Sequence, residues 1–196
     1  LMRQALEDDG PINPLPLVDA ADFRRSALAT ISPNAGQGVD AIGSAELRQL
    51  PDVALQELCD LLFEMETAGT WAWQLLYALV VLQPKPTGGG RDISLLPILV
   101  RCWGRCRRGP MSEWSDSFPG HWDAAVRGNS SMRESMNRAL RIECAMLGGL
   151  SAALALIDVE KYNASMDLLL LFQKANERVF PIRVMLQSVS QYLAHR

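Results

Sequence analysis

No apolar stretch in this chain approaches the roughly 20 residues that a bilayer-spanning helix needs. The longest aliphatic runs, 75–82 and 168–172, are far too short, so no membrane partner is expected. A basic-then-apolar start is also missing. Leu1 is followed by acidic residues and prolines, so no secretory signal is read and the chain is expected to be part of a longer protein. The four cysteines, Cys59, Cys102, Cys106 and Cys144, lack the spacing of a disulfide framework, and a chain of 196 residues does not need one. A reducing, intracellular setting is the simplest expectation. Cys102 and Cys106 are spaced to share a helix face, with His121 downstream, but no fourth zinc ligand is in sight; small buried residues are the plainer reading. Three consecutive glycines, Gly88 to Gly90, are not followed by Gly-Lys-Ser/Thr, which excludes a Walker phosphate loop.

An excess of positive charge is absent overall, with 19 basic and 22 acidic residues and a net charge of −3. The distribution is uneven. Residues 1–66 carry 4 basic and 12 acidic side chains, whereas residues 67–141 carry 10 basic and 5 acidic. Arg101, Arg105, Arg107 and Arg108 cluster in that basic middle, followed by Arg127, Arg133, Arg138 and Arg141. Guanidinium groups at this density can track a phosphate backbone, each displacing condensed counterions. A solvated basic helix face would give the same pattern.

Hydrophobic residues make up 48% of the chain, enough to build a substantial core and to exclude a wholly disordered protein. Residues 1–40, with several prolines and glycines, read as a linker or N-terminal extension with one short helix around 23–28. Ser44 is placed to cap a short helix to Leu50. Leu55, Leu58, Leu61, Leu62 and Met65 then recur at helical spacing until Gly69. A strand is expected over about 75–82, with a glycine turn into a second extended segment at 91–94. Arginines ride on a helix starting near Pro97. Ser131 and Glu134 form a capping-box pattern for a helix that Gly148-Gly149 stops. Two further helices are expected, over about 165–178 and from Pro181 to about 195.

Between these helices, Ser151-Ala-Ala-Leu-Ala-Leu-Ile157 reads as a buried strand that ends on Asp158. A carboxylate where a strand leaves the core is a metal-capable oxygen ligand, although an aspartate there is more commonly a turn former or helix cap.

Gln83-Pro-Lys-Pro-Thr-Gly-Gly-Gly-Arg-Asp-Ile-Ser-Leu-Leu-Pro97 resembles the fingers segment of reverse transcriptases of the non-LTR retroelement and group II intron type. Pro-Lys, a glycine-bearing turn and Arg-Pro-Ile-Ser-Leu recur there in that order. Asp158-Val-Glu-Lys161 resembles the first catalytic motif of that family, and Ala35-Gly-Gln-Gly-Val-Asp40 resembles its Ala-Pro-Gly-Pro-Asp-Gly turn. Tyr192-Leu-Ala-His-Arg196 is similar to the segment leading to the family's template grip.

The resemblance implies an α+β fold comprising the fingers and N-terminal palm portion of a right-hand polymerase. That portion would be helix-rich, with a fingers hairpin and the first palm catalytic strand. It divides the chain into a linker (1–40), a fingers-like region (41–150) and the start of the palm (151–196). It implies RNA-directed DNA polymerase activity in the parent, with Asp158 catalytic and Asp158 plus the carbonyl of Val159 holding Mg²⁺ or Mn²⁺. Lys85 and Arg91 would close on the triphosphate of an incoming dNTP. Arg101, Arg105, Arg107 and Arg108 would contact the RNA template and DNA primer. The family's later Asp-Asp pair has no counterpart after Asp158, so the remainder of the polymerase chain would have to supply it. This fragment alone is expected to be inactive. Asp92 stands where the family has proline, and Asn163 where it has the aromatic sugar gate, with Tyr162 one residue early. Two other readings stay open: a catalytically dead RNA-binding remnant, and a helical interaction module in which Asp158 is merely a cap.

Overall fold

The computed structural model describes residues 15–86, 88–118, 130–155 and 166–194. They fall into two compact units, one built from residues up to 112 together with 167 onward, the other from 113–166.

In the larger unit, α1 (Ala20–Phe23) is capped by the Asp19 carboxylate, which accepts from the Asp22 backbone, and runs directly into a π-helical turn (Arg24–Leu28). Val18, Ala20, Phe23, Ala27, Leu28 and Ile31 are all buried in the principal core. The expected linker is therefore, over 18–31, part of the core. Its prolines and glycines lie outside this apolar run, which is why composition averaged over forty residues conceals it.

Two helices follow, α2 (Ser44–Gln49) and α3 (Asp52–Thr67). Glu46 accepts from the Gly43 backbone at the start of α2, one residue ahead of the expected cap. Ser44 is instead buried and donates its hydroxyl to the Ser32 carbonyl at 2.8 Å. Along α3, Leu55, Cys59 and Leu62 are fully buried at helical spacing, while Leu61 faces out. Gly69 ends the run with a positive φ of 67°, where a side chain would be strained.

A short helix α4 (Trp73–Leu76) replaces the first residues of the expected strand, and buries Leu75 in the core. The hairpin then forms from β1 (Leu79–Pro84) and β2 (Gly90–Leu95), antiparallel, with Leu79 opposite Leu95 and Pro84 opposite Gly90. Its exit leads into α5 (Ile98–Cys106), whose inner stripe of Ile98, Cys102 and Trp103 is buried, and then into α6 (Arg108–Asp116).

The second unit contains α7 (Ser131–Leu147). Ser130, one residue before the expected cap, accepts from the Arg133 backbone at 3.4 Å, and Gly148 and Gly149 end the helix as expected. Residues 151–155 are exposed and belong to no sheet. The buried strand expected over 151–157 is thus not seen in its described part, 151–155, which pairs with no strand among the described residues. The chain returns to the larger unit with α8 (Leu168–Glu177), capped by Asp167, and α9 (Ile182–Ala194). Met185, Leu186 and Val189 of α9 are buried, and Leu186 packs against Gly69. No helix among the described residues is long and apolar enough to cross a membrane.

Candidate functional site

The hairpin, the 35–40 turn and the arginines of α5 all lie in the larger unit. The hairpin tip is built by its glycines. Gly88 and Gly89 adopt φ of 88° and 80°, a region that side-chain-bearing residues rarely occupy. Lys85 donates its backbone N–H to the Gly89 carbonyl at 3.1 Å, extending the ladder by one pair beyond Pro84–Gly90. Lys85 is exposed at this tip, and Arg91 stands opposite Gln83, one pair inward from the Pro84–Gly90 pair. The two positions thus share one end of the hairpin. Asp92 is exposed opposite Leu82, and supplies a backbone N–H that proline would lack.

At the other end of the hairpin, the 35–40 turn packs against its exit. A side chain at Gly38 would lie 2.8 Å from Pro97 Cα and 2.9 Å from Pro97 N, so only glycine lets the two backbones meet. Gly36 stands in ordinary contact with Leu95. Asp40, within this turn, has both carboxylate oxygens shielded and without a hydrogen-bond partner among the described residues.

The arginines divide into two groups. Arg101 and Arg105, four apart on α5, are half-buried and exposed respectively, and Arg108 is exposed at the start of α6. Arg107 turns inward and is 2% exposed. Its Nε donates to Glu66 Oε2 at 2.7 Å and its second terminal nitrogen to Oε1 at 2.9 Å, a two-pronged pair, while the remaining nitrogen reaches the Pro16 carbonyl at 2.6 Å. Trp103 donates to the same Glu66 oxygen at 2.7 Å, and the guanidinium lies 4.5 Å from its ring centroid. Contrary to the sequence expectation, Arg107 does not join a phosphate-tracking row, since its hydrogen bonds are made inside the core. The position follows from helical spacing: Arg107 lies four residues after buried Trp103 and donates its backbone N–H to the Trp103 carbonyl, which sets it on the inner face of α5 toward α3.

Arg101 donates to the Gly36 carbonyl and Arg105 to the Thr30 carbonyl at 3.4 Å. Arg48, which lies in the acidic N-terminal third and was not singled out by sequence, donates to the carbonyls of Leu28 and Ile31. Only tertiary proximity groups it with the other two. A cleft of about 350 Å³, lined by Ile31, Ser32, Ala35, Arg101, Gly104 and Arg105, opens between this loop and α5.

Cys59, Cys102 and Cys106 lie close to one another in the core. Burial pushes the Cys102 thiol up to about 11 against the opposing pull of Arg101, Arg105 and Arg48. Burial likewise raises Cys59 to about 11 and Cys106 to about 12. All three are therefore protonated near neutrality and poor as nucleophiles or metal ligands. Among the described residues no three side chains of the His, Cys, Asp or Glu type gather to hold a metal. Asp158, Val159, Tyr162, Asn163 and His121 lie outside the described residues. The chain matches no protein-family model and no curated protein.

Proposed function

We propose that this chain is the fingers and leading palm part of an RNA-directed DNA polymerase of the retroelement reverse-transcriptase kind. The hairpin β1–β2 carries this reading: a glycine-built tip bearing Lys85, with Arg91 one pair inside the last strand pair, and a base locked by Gly38 against Pro97. In this reading Lys85 and Arg91 neutralise negative charge that accumulates on the departing pyrophosphate of a dNTP. Arg101, Arg105 and Arg108 hold the phosphates of the RNA template and DNA primer. No metal-holding group exists among the described residues. Mg²⁺ or Mn²⁺ would require Asp158 and Val159 together with carboxylates from the remainder of the polymerase chain, and would polarise the reacting phosphate and activate the primer hydroxyl.

The test is retention of a labelled RNA–DNA primer–template by this chain at rising salt, with and without the next complementary dNTP and Mg²⁺. The expected result is salt-sensitive binding and severalfold slower dissociation with the matched dNTP, an effect lost in Lys85→Ala and Arg91→Ala. Salt-sensitive binding indifferent to dNTP and to Asp158→Ala would replace the proposal by a catalytically dead RNA-binding remnant. Absence of any nucleic-acid affinity would leave the helical interaction module.

A further inference from the structure

Three guanidinium groups converge on one short loop. Arg48 binds the carbonyls of Leu28 and Ile31, Arg105 that of Thr30, and Arg101 that of Gly36. Among the described residues none of the three is within ion-pair distance of a carboxylate, unlike Arg24, Arg25, Arg107 and Lys174, each of which has one. Tying down a loop through neutral carbonyls leaves three positive charges uncompensated. Such a concentration, beside a low-dielectric wall, attracts an anion.

The cleft at this point has the shape and chemistry for one. Arg101 and Arg105 line it, and each spends only one of its five donors on the loop. The Nε of Arg101 is shielded and has no acceptor, so a small rotation of the side chain would give that donor a partner. Ser32, also lining the cleft, accepts from the Asn34 backbone and keeps its hydroxyl proton available. No acidic residue contributes to the lining. Gly104 leaves the wall open: a carbon added there meets nothing within 4 Å.

We propose that the cleft between the 29–36 loop and α5 is a phosphate-binding site, taking one phosphoryl group between Arg101, Arg105 and Ser32, with Arg48 behind the loop adding positive potential. The site stands on its own charges; that its phosphate belongs to a nucleic-acid strand rests on the polymerase reading. The planar fork of arginine suits two oxygens of one phosphate better than a lysine would.

Two arms distinguish the sources of that phosphate. In one, inorganic pyrophosphate is titrated into the chain and the melting temperature followed. In the other, a single-stranded RNA oligonucleotide is bound over a range of salt. Arg105→Gln removes one charge of the cleft. Gly104→Leu fills the cleft without replacing an arginine and favours the helix. Arg25→Gln removes one exposed charge elsewhere. The expected result is that Arg105→Gln and Gly104→Leu abolish the pyrophosphate-induced rise, and that Arg105→Gln lowers the salt slope of RNA binding by about 0.7, while Arg25→Gln does neither. A response confined to the RNA arm assigns the site to a nucleic-acid backbone. A response confined to pyrophosphate upholds the site and counts against the nucleic-acid reading. RNA binding by the parent chain that is equally affected by Arg105→Gln and Arg25→Gln, with no Arg105-dependent pyrophosphate effect, overturns the cleft and leaves the polymerase reading standing.

Discussion

The helices α5 and α7 are both amphipathic and both carry arginines, yet they have opposite fates. In α5 the apolar stripe is sealed against α1 and its π-helical turn, and Ile98 and Cys102 are wholly buried. In α7 the corresponding stripe is open, with Met132 74%, Met136 60% and Leu140 53% exposed. The pairing of apolar and basic faces thus announces a helix and a preferred side, but burial depends on what else the chain brings to that side. Around α5, Arg101 and Arg105 are anchored to loop carbonyls beside a cleft, and Arg107 to Glu66 inside the core.

The contrast can be broken most forcefully at Arg107. Replacing it by alanine strands Glu66 as a buried, unpaired charge, and a loss of about 3–5 kcal/mol is expected in urea unfolding. Arg108→Ala, one residue along and exposed, is expected to stay within about 0.5 kcal/mol of the parent. A small change at Arg107 would show that the Glu66 network is not part of the solution core. Next in size is the core beneath it: Leu55→Ala is expected to cost about 2–5 kcal/mol. Met136→Ala on the open face of α7 should fall within about 0.5 kcal/mol, and equal losses at the two sites would mean that α7 is covered in solution. Gly38→Ala forces the 35–40 turn away from Pro97 and is expected to destabilise by about 1–3 kcal/mol, with weakened protection of the hairpin amides in hydrogen exchange.

The smallest effect near neutrality, and a sharp one in alkali, belongs to the thiols. Exposed Cys144 should react rapidly with a disulfide reagent near pH 8, half-buried Cys106 slowly, while Cys59 and Cys102 should wait for unfolding. In the unfolded chain a thiol ionises near the ordinary value of 9.0, against about 11 for folded Cys59. The folded state holds these protons more tightly. The associated stabilisation is therefore complete below about pH 9 and is lost as pH climbs through the folded values. Melting curves unchanged between mild and strong alkali, with Cys59 and Cys102 as reactive as Cys144, would contradict this burial.

Much of the helical framework was legible because helical periodicity and end signals are local. Leu55 and Leu62, the glycine stops at Gly69 and Gly148, and Pro181 just ahead of α9 placed their elements within a few residues. The hairpin turn was legible for the same reason, since three glycines between two β-branched segments admit few other geometries. Residues 18–31 were misread because a short apolar run flanked by prolines resembles a linker until it is seen against α3. The run 151–155 was misread in the opposite sense: aliphatic content suits a buried strand, but a strand is made by its neighbours.

From the amino-acid order alone came the helices, their apolar faces, the glycine-built hairpin with Lys85 and Arg91 near its tip, and the basic middle of the chain. These depend on interactions spanning a few residues, which the order of residues states directly. The tertiary structure alone decided which apolar faces are covered, that Arg107 pairs with Glu66 across 41 positions, and that Arg48 joins Arg101 and Arg105 on the carbonyls of one loop. Burial, ion pairing and the convergence of charge depend on distances between residues remote in the chain, and such distances exist only once the chain has packed.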